Sequence, residues 1–248
     1  MLRVYCDCKV NSFMVERTPQ ENWNLPVGPE AVADQWRAQA RLQISCHGSI
    51  IWNEHVRHSL VWLSRVTEKD SWWTAYTIQR TVAFVFENLK LFAPKDTLVF
   101  WSDGGPHYRS TPALSNVARY ITERWRVHSQ AKFGEAHHLK GQVDGLFGRL
   151  DGLKRKAAKE KILNSCSSLL DVFLADAKPN EHYAILEPDV TREEFIDKHP
   201  PVKRKSLPLP IKSTYSYSFT VKTSGQSARP GWASTVAPSR TSRPDQTI

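Results

Sequence analysis

The chain has 248 residues, 40% of them hydrophobic, with nine Trp and ten Phe, which is enough to bury the core of one sizeable domain with appendages. Its formal net charge of +9 and pI near 9.4 favour nucleic acid, DNA or RNA, as a partner over an acidic membrane surface. A homo-oligomer stays open. Because the sequence has no run of about eighteen apolar residues and no signal-peptide core at its start, it predicts no membrane span and an intracellular, reducing location, nuclear if the partner is DNA.

The first half of the chain is predicted to contain strands followed by one long helix. Periodicity and turn residues indicate, in chain order, a strand over 2–10, a loop over 12–28, a short helix from Pro29 to about Gln39, strands over 40–52 and 56–66 around a turn near Asn53-Glu54, and a helix capped by Asp70-Ser71 that runs to about Phe92.

The second half is predicted to alternate strands and helices as far as Ala175. The patterns indicate, in chain order, a turn at Pro94-Lys95-Asp96, a buried strand over 97–102, a helix starting at Pro112, a short strand over 127–134, and the strongest helix over 141–163. That last helix has an apolar stripe beginning at Val143 and an opposite basic face that includes Arg149.

Composition divides the chain into three segments. Residues 1–175 are predicted to form one α/β domain. Residues 176–221 read as an extension that is irregular over 180–198 and carries a candidate added strand over 214–221. Residues 222–248, rich in Ser, Thr, Pro and Arg, are expected to be a disordered basic tail.

The four cysteines are interpreted as buried thiols. Cys6 and Cys8 share one face of the first predicted strand, and Cys46 lies beside His47. This spacing matches no common zinc finger, so packing as small hydrophobic residues is favoured over a zinc site.

Asp103 is the best candidate for a catalytic carboxylate. It follows the apolar strand over 97–102 and precedes Gly104-Gly105-Pro106, where the backbone must turn sharply. The competing interpretation is a simple Asp-Gly turn.

Asp7 is a second candidate, within the first predicted strand. A charge inside an apolar strand is costly unless it has a partner, and a metal ion is one such partner. The alternative is an edge strand that leaves Asp7 in water. Lys9 and Asn11 share its face and either contact phosphate or are solvated.

Asp144 is the third candidate, in the first turn of the helix over 141–163. The helix dipole favours an anion there, which also explains an Asp without any catalytic role. Glu135 is a rival third acid, Asp151 a weaker additional ligand on the same face, and Glu87 a remote fourth.

Basic and aromatic residues flank these acids. His107-Tyr108-Arg109 follows Asp103, and His137-His138-Leu-Lys140 precedes Asp144. Such groups suit phosphate binding and base stacking, so His107, Tyr108, Arg109, His138 and Lys140 are predicted to bind nucleic acid together with Lys9 and Asn11. A transition-metal site at the adjacent histidines is disfavoured, because no third ligand lies at a known spacing.

The order of elements is that of the ribonuclease H-like fold: a mixed sheet of three antiparallel strands followed by parallel strands, flanked by helices. In such a site, carboxylates from distant segments converge at one end of the sheet and hold two divalent ions about 3.5–4 Å apart. Mg²⁺ prefers oxygen ligands, which Asp supplies.

Two segments resemble a specific family. Ser102-Asp103-Gly-Gly-Pro-His-Tyr-Arg is similar to the Ser-Asp-x-Gly-x-x-Phe strand end of DDE transposases and retroviral-type integrases, and Gly141-Gln-Val-Asp144 is similar to their Gly-x-x-Glu helix start. The run from His138 through Gly148 also resembles a His-Gly-Lys-Gly-x-x-Asp-Gly-x-Gly-Gly pattern of transposon-derived open reading frames in eukaryotes. Asp7-Cys-Lys-Val-Asn11 resembles their Asp-x-x-Glu-Asn motif more weakly.

The resemblance covers roughly residues 2–165 and implies a function. It implies a ribonuclease H-like fold with two Mg²⁺ or Mn²⁺ ions and DNA strand cleavage or transfer by Asp7, Asp103 and Asp144. The sequence departs from the pattern where Asp144 replaces Glu, Leu139 and Phe147 replace Gly, and Val10 stands where Glu is usual.

Three interpretations therefore follow. The first is a metal-dependent polynucleotidyl transferase or nuclease of transposon origin. The second is a catalytically inactive nucleic-acid-binding protein of the same fold, and the third is an unrelated α/β interaction protein. Because Met1 falls almost within the first predicted strand, we expect no preceding DNA-binding module, and a fragment, a decayed copy and a domesticated remnant all remain open.

Overall fold

The strands of the protein form one mixed sheet with helices on both faces. The computed structural model describes residues 12–17, 21–25, 42–53, 56–68, 70–102, 105–133, 141–201, 216–219 and 232–233. The strands are β1 (Ser12–Arg17), β2 (Glu21–Leu25), β3 (Leu42–Asn53), β4 (Val56–Ser64), β5 (Thr97–Ser102), β6 (His128–Phe133), β7 (Glu181–Ile185), β8 (Ser216–Phe219) and β9 (Trp232–Ala233). The predicted mixed α/β class is therefore confirmed.

The helices follow the same chain order. They are α1 (Ser71–Phe84), which continues as a π-helical stretch (Val85–Leu89); α2 (Thr111–Ser115), which continues through a second π-helical stretch (Asn116–Ile121) into α3 (Thr122–Trp125); α4 (Gln142–Ala158); α5 (Cys166–Ala175); and α6 (Arg192–Lys198). None of the helices in the described ranges is long and apolar enough to cross a membrane.

The sheet has the strand order β7-β4-β3-β1-β5-β6-β8-β9, with β2 also paired to β3. Strands β1, β2 and β4 run antiparallel to β3. Strand β5 runs parallel to both β1 and β6, and β7 runs parallel to β4. Strands β8 and β9 extend the sheet antiparallel beyond β6.

The hairpin of β3 and β4 lies between two cores. Because side chains alternate along a strand, Ile44 and Ile50 of β3 face the cluster beneath α4 and α5. Ile51 faces the other cluster, beneath α1. Both strands were predicted by their β-branched and apolar runs, and the structure confirms them.

Helix α1 begins where its capping residue predicts. The Asp70 side chain accepts a hydrogen bond from the Trp73 backbone N–H at 3.0 Å, which satisfies one unpaired donor of the first turn. Trp73 is fully buried and Tyr76 is 3% exposed, so the apolar face of the helix packs on the sheet.

Two segments predicted to lack regular structure contain it. Residues 12–28 were expected to form a loop, but they contain β1 and β2. Residues 180–198 were expected to be irregular, but they contain β7 and α6. In both cases strand formation depends on a distant partner, β3 for β1 and β2 and β4 for β7, which the local sequence does not reveal.

The carboxyl-terminal predictions have mixed outcomes. The candidate strand over 214–221 is confirmed by β8. Strand β9 lies within the segment 222–248 that was expected to be disordered. The strand predicted over 2–10 and the short helix after Pro29 lie outside the described residues.

Arg149, on the basic face predicted for α4, binds residues that lie outside this helix. Its guanidinium binds the carboxylates of Asp176 at 2.7 Å and Glu181 at 2.5 Å, and donates to the Tyr183 hydroxyl at 2.9 Å. Burial raises the pKa of Glu181, but hydrogen bonds from the Lys178 backbone, Tyr183 and Arg149 outweigh it and lower this pKa. Arg149 thus ties α4 to β7.

Cys46 and Cys166 are buried thiols, as predicted for them. Cys46 is fully buried in the cluster beneath α4, and burial raises the pKa of the Cys166 thiol. Cys6 and Cys8 lie outside the described residues.

Candidate active site

The carboxyl ends of β1 and β5 meet at one edge of the sheet. The Cα of Arg17, the last residue of β1, pairs with that of Ser102, the last residue of β5. The next described strand after β1 is β2, which pairs with β3, and β5 ends at Ser102. The pairing of β1 with β5 therefore ends at this edge. Clefts outside the carboxyl ends of parallel strands are common ligand sites in α/β sheets.

A short turn follows β5 and leads into α2. The backbone N–H groups of Tyr108 and Arg109 donate to the Gly105 carbonyl at 3.1 and 2.9 Å. The Ser110 hydroxyl donates to the His107 carbonyl and accepts from the Ala113 N–H, which caps α2. The turn is therefore fixed to the helix that follows it.

The three predicted nucleic-acid-binding residues of this turn differ in position. Tyr108 is 6% exposed and belongs to the core beneath α1, which argues against base stacking by its ring, since stacking needs an open face. His107 is partly exposed, with its ring 4.5 Å from that of Tyr108. The Arg109 guanidinium lies 5.3 Å from the Phe133 ring, at the carboxyl end of β6.

Helix α4 brings Asp144 towards the same level of the sheet. Asp144 is exposed in the first turn, and its Oδ2 accepts a hydrogen bond from the Gly141 N–H at 2.7 Å. Its Oδ1 has no hydrogen-bond partner among the described residues. The predicted position of Asp144 in the first turn of the helix is therefore confirmed. Its hydrogen bond to the Gly141 N–H shows that this carboxylate also caps the helix.

Gly48 of β3 sets how closely α4 approaches. A Cβ placed there would lie 2.9 Å from Val143 Cγ1 and 2.9 Å from Phe147 Cζ, so only glycine fits beneath this turn of the helix. Ser49, the next residue of β3, pairs with Arg17 at the end of β1. The first two turns of α4 therefore lie level with the carboxyl edge of β1 and β5.

The other predicted site residues have different outcomes. The following lie outside the described residues: Asp7, Lys9, Asn11, Asp103, Glu135, His137, His138 and Lys140. Within the described ranges, no three His, Cys, Asp or Glu side chains lie together in a way that could hold a metal ion. The predicted convergence of Asp7, Asp103 and Asp144 remains a prediction.

The two weaker acids are bound by cations. Asp151 accepts from Lys154 at 2.7 Å and Arg155 at 2.6 Å. Burial raises the pKa of Asp151, but these two cations outweigh it and lower this pKa. Glu87 is 57% exposed and lies 3.8 Å from Arg124. All three contacts are ordinary ion pairs.

Glu16 is an acid that sequence reasoning missed. It belongs to β1, and its Cα pairs with that of Trp101, two residues before Asp103. The segment over 12–28 was taken as a loop, so its acids were not considered. The short apolar run Phe13-Met14-Val15 was the signal for a strand.

Comparison with known proteins gives little further information. No protein-family model and no curated protein matches the chain. Three chains of solved structures match, and one is "Crystal structure of NurA with manganese", with 12% identity and a TM-score of 0.24. The match covers 80% of this chain and 40% of that chain. A TM-score of this size is too low to indicate a shared fold.

Proposed function

We propose that the chain is a metal-dependent polynucleotidyl transferase or nuclease with a ribonuclease H-like fold, similar to DDE transposases and integrases, which acts on DNA phosphodiester bonds. The observation that carries the proposal is the carboxyl edge where β1 and β5 end together, level with the start of α4. The sequence places an acid directly after β5, at Asp103, and another in the first turn of α4, at Asp144.

The directions of the central strands support this proposal. Five neighbouring strands have the order β4-β3-β1-β5-β6. The pairs on the β4 side of β1 are antiparallel, and the pairs on the β5 side are parallel. This is the arrangement that we expect of a ribonuclease H-like sheet, with three antiparallel strands followed by two parallel ones.

The spacing of the elements is compatible with a shared metal site. Helix α4 lies over Gly48 of β3, and β3 is separated from β5 by β1 alone. Two interstrand steps amount to about 10 Å. A shared pair of ions about 3.5–4 Å apart would require Asp103 and Asp144 to reach towards each other across this lateral gap.

The chemistry of the donors fits Mg²⁺ or Mn²⁺, because both favour carboxylate oxygens. Asp103 and Asp144 would hold the ions, with Asp7 or Glu16 as the first-strand ligand. Bound ions of this kind activate the attacking hydroxyl and stabilise the leaving oxygen. Arg109, placed at the carboxyl end of β6, is suited to hold a neighbouring phosphate.

The experiment compares the full chain with isosteric variants on labelled DNA containing Mg²⁺ or Mn²⁺. We expect Asp103→Asn and Asp144→Asn each to lower the rate of cleavage or strand transfer about a hundredfold or more, because each removes a charged ligand at unchanged volume. Asp171→Asn, an exposed Asp on α5, is the matched control and should keep the wild-type rate.

The same assay identifies the first-strand acid. If Asp7 is the first-strand ligand, Asp7→Asn should be inactive and Glu16→Gln active. If Glu16 of β1 is the ligand, Glu16→Gln should be inactive and Asp7→Asn active. Wild-type protein that cleaves nothing with either metal, or an Asp103→Asn variant as active as wild type, would exclude the enzymatic proposal.

A non-catalytic nucleic-acid-binding protein of the same fold is the second candidate. The hydrogen bond from Gly141 to Asp144 favours it, because a helix cap accounts for this carboxylate without a metal. This candidate predicts DNA binding that weakens steeply with salt, as the net charge of +9 implies, and no cleavage in the presence of either metal.

A further inference from the structure

A cavity of about 360 Å³ opens among the helices on the α1 face of the sheet, opposite the face that α4 covers. It lies between the π-helical stretch Asn116–Ile121 with α3 on one side and the carboxyl end of α6 on the other. Ligand pockets commonly begin near this volume. π-Helical stretches are rare and are often found at functional sites.

Three of the nine residues that line the cavity are cations. They are Arg119, Arg124 and Lys198, and the same lining contains one carboxylate, that of Glu123. Within the described part of the chain, Arg119 and Lys198 have no ion-pair partner. Arg124 is shared, because its guanidinium lies 3.8 Å from Glu87 and bonds the hydroxyl of Tyr120.

The positive charges also affect a histidine that lines the cavity. The pKa of His199 is lowered, first by burial and then by the charges of Lys198 and Arg124. Without a ligand its imidazole therefore tends to stay neutral. An anion placed among these groups would offset the repulsion between them.

Two rings offer a surface for a planar group. The rings of Tyr120 and His199 meet edge to face, with centroids 4.8 Å apart. The Arg124 guanidinium lies 5.2 Å from the Tyr120 ring. Arginine and aromatic side chains together are the usual stacking partners of nucleic-acid bases.

The base of the cavity is fixed by hydrogen bonds. Asn116 is 4% exposed; its Oδ1 accepts from Gln79, and its Nδ2 donates to the Ala75 carbonyl at 3.0 Å. Because both groups of this amide are engaged with α1, the wall is held in place and the charged side chains are the groups left to meet a ligand.

We propose that this cavity binds a phosphate-bearing ligand of the nucleotide class, either a free nucleotide or the terminal nucleotide of a strand. The cations bind the phosphate, and the Tyr120 and His199 rings contact the base. The site is distinct from the candidate active site, because α3 leads into the amino end of β6, whereas Asp103 follows the carboxyl end of the parallel strand β5 in the sequence. It does not depend on the catalytic proposal.

The test titrates the full chain by calorimetry with AMP, with pyrophosphate and with a short single-stranded oligonucleotide with and without a 5′-phosphate. Proton NMR follows the imidazole of His199, assigned by its absence in His199→Gln. We expect saturable binding of AMP and pyrophosphate, and a rise of the His199 pKa on binding, since the bound anion stabilises the imidazolium.

Variants test the contacts to the phosphate and the contacts to the base separately. Arg119→Ala with Lys198→Ala should weaken both AMP and pyrophosphate roughly tenfold or more, because charge-assisted hydrogen bonds are lost. Lys159→Ala with Lys161→Ala removes two exposed cations elsewhere and is the matched control. Tyr120→Leu should weaken AMP more than pyrophosphate, because loss of the ring affects only the base, whereas release of Arg124 from the Tyr120 hydroxyl affects both ligands alike.

The remaining outcomes are decisive. Competition between AMP and the phosphorylated oligonucleotide assigns the cavity to strand ends, and its absence assigns it to free nucleotides. If AMP and pyrophosphate produce neither saturable heat nor a change at His199, or if the Arg119 and Lys198 double variant binds as wild type, the proposal is wrong. Unchanged AMP binding by Tyr120→Leu excludes the nucleotide class. Asp103→Asn should bind AMP normally, which separates this test from that of catalysis.

Discussion

The two faces of the sheet are held to their helices in different ways. Beneath α1, buried polar groups are hydrogen-bonded: Trp73 Nε1 donates to His47 Nε2 at 2.8 Å, and Trp62 Nε1 donates to the Thr81 hydroxyl at 3.0 Å. Beneath α4 the cluster is largely apolar, and the helix rests against Gly48. Hydrogen bonds thus position one helix, and close packing positions the other. Substitutions on the two faces should therefore lower the free energy of unfolding for different reasons.

The largest effect is expected on the packed face. Gly48→Ala should lower the free energy of unfolding by about 1–3 kcal/mol, because the new methyl group would overlap Val143 and Phe147 in a filled core. Urea unfolding measures the change. Phe147→Leu in the same chain should recover part of the loss, since a shorter side chain relieves the contact.

The matched control is a glycine on α4 itself. Gly148→Ala meets no atom within 4 Å, so it should be neutral or stabilise the protein by up to about 1 kcal/mol through helix propensity. Equal effects of Gly48→Ala and Gly148→Ala would contradict the account of the packed face.

A smaller effect is expected on the hydrogen-bonded face. Trp73→Phe should lower the free energy of unfolding by about 1–2 kcal/mol, because the buried His47 nitrogen loses its donor. Trp72→Phe is the comparison, since the Trp72 indole N–H is buried without a hydrogen-bond partner among the described residues. A larger loss for Trp72→Phe than for Trp73→Phe would argue that ring area, not the bond, stabilises this face.

The smallest effect is a pH dependence at the outer edge of the hydrogen-bonded face. His58 Nδ1 lies 3.3 Å from His182 Nε2, with the rings stacked. Burial lowers the pKa of both, and the charge of His58 lowers that of His182 further. The folded state therefore disfavours protonation, and its stability should be complete above the unfolded pKa near 6.5 and fall as the pH drops below it.

Urea midpoints measured from about pH 7 to pH 5 test this dependence. His58→Gln should flatten the decline, because one of the two groups that resist protonation is removed. Identical slopes for wild type and His58→Gln would show that the pair does not cause it.

Local sequence patterns predicted the elements that stabilise themselves locally or repeat over many residues. The Asp70 cap and the apolar repeat after it predicted α1, and the stripe from Val143 predicted α4. The apolar run ending at Ser102 predicted β5, and so placed Asp103 directly after a strand. In each case the pattern reflects burial that the element needs wherever it packs.

Other features were decided only when distant segments met. β1 and β2 are strands because β3 pairs with them, and this brought Glu16 beside β5. The sequence places Arg149 on the basic face of its helix, and only the packing of β7 brings Glu181 to its guanidinium.

The cavity near His199 exists only because α6 packs beside α3. The sequence alone thus determined which segments are buried and where Asp103 and Asp144 stand along the chain. Tertiary structure alone decided which segments became neighbours, because pairing and charge contacts depend on residues far apart in the sequence.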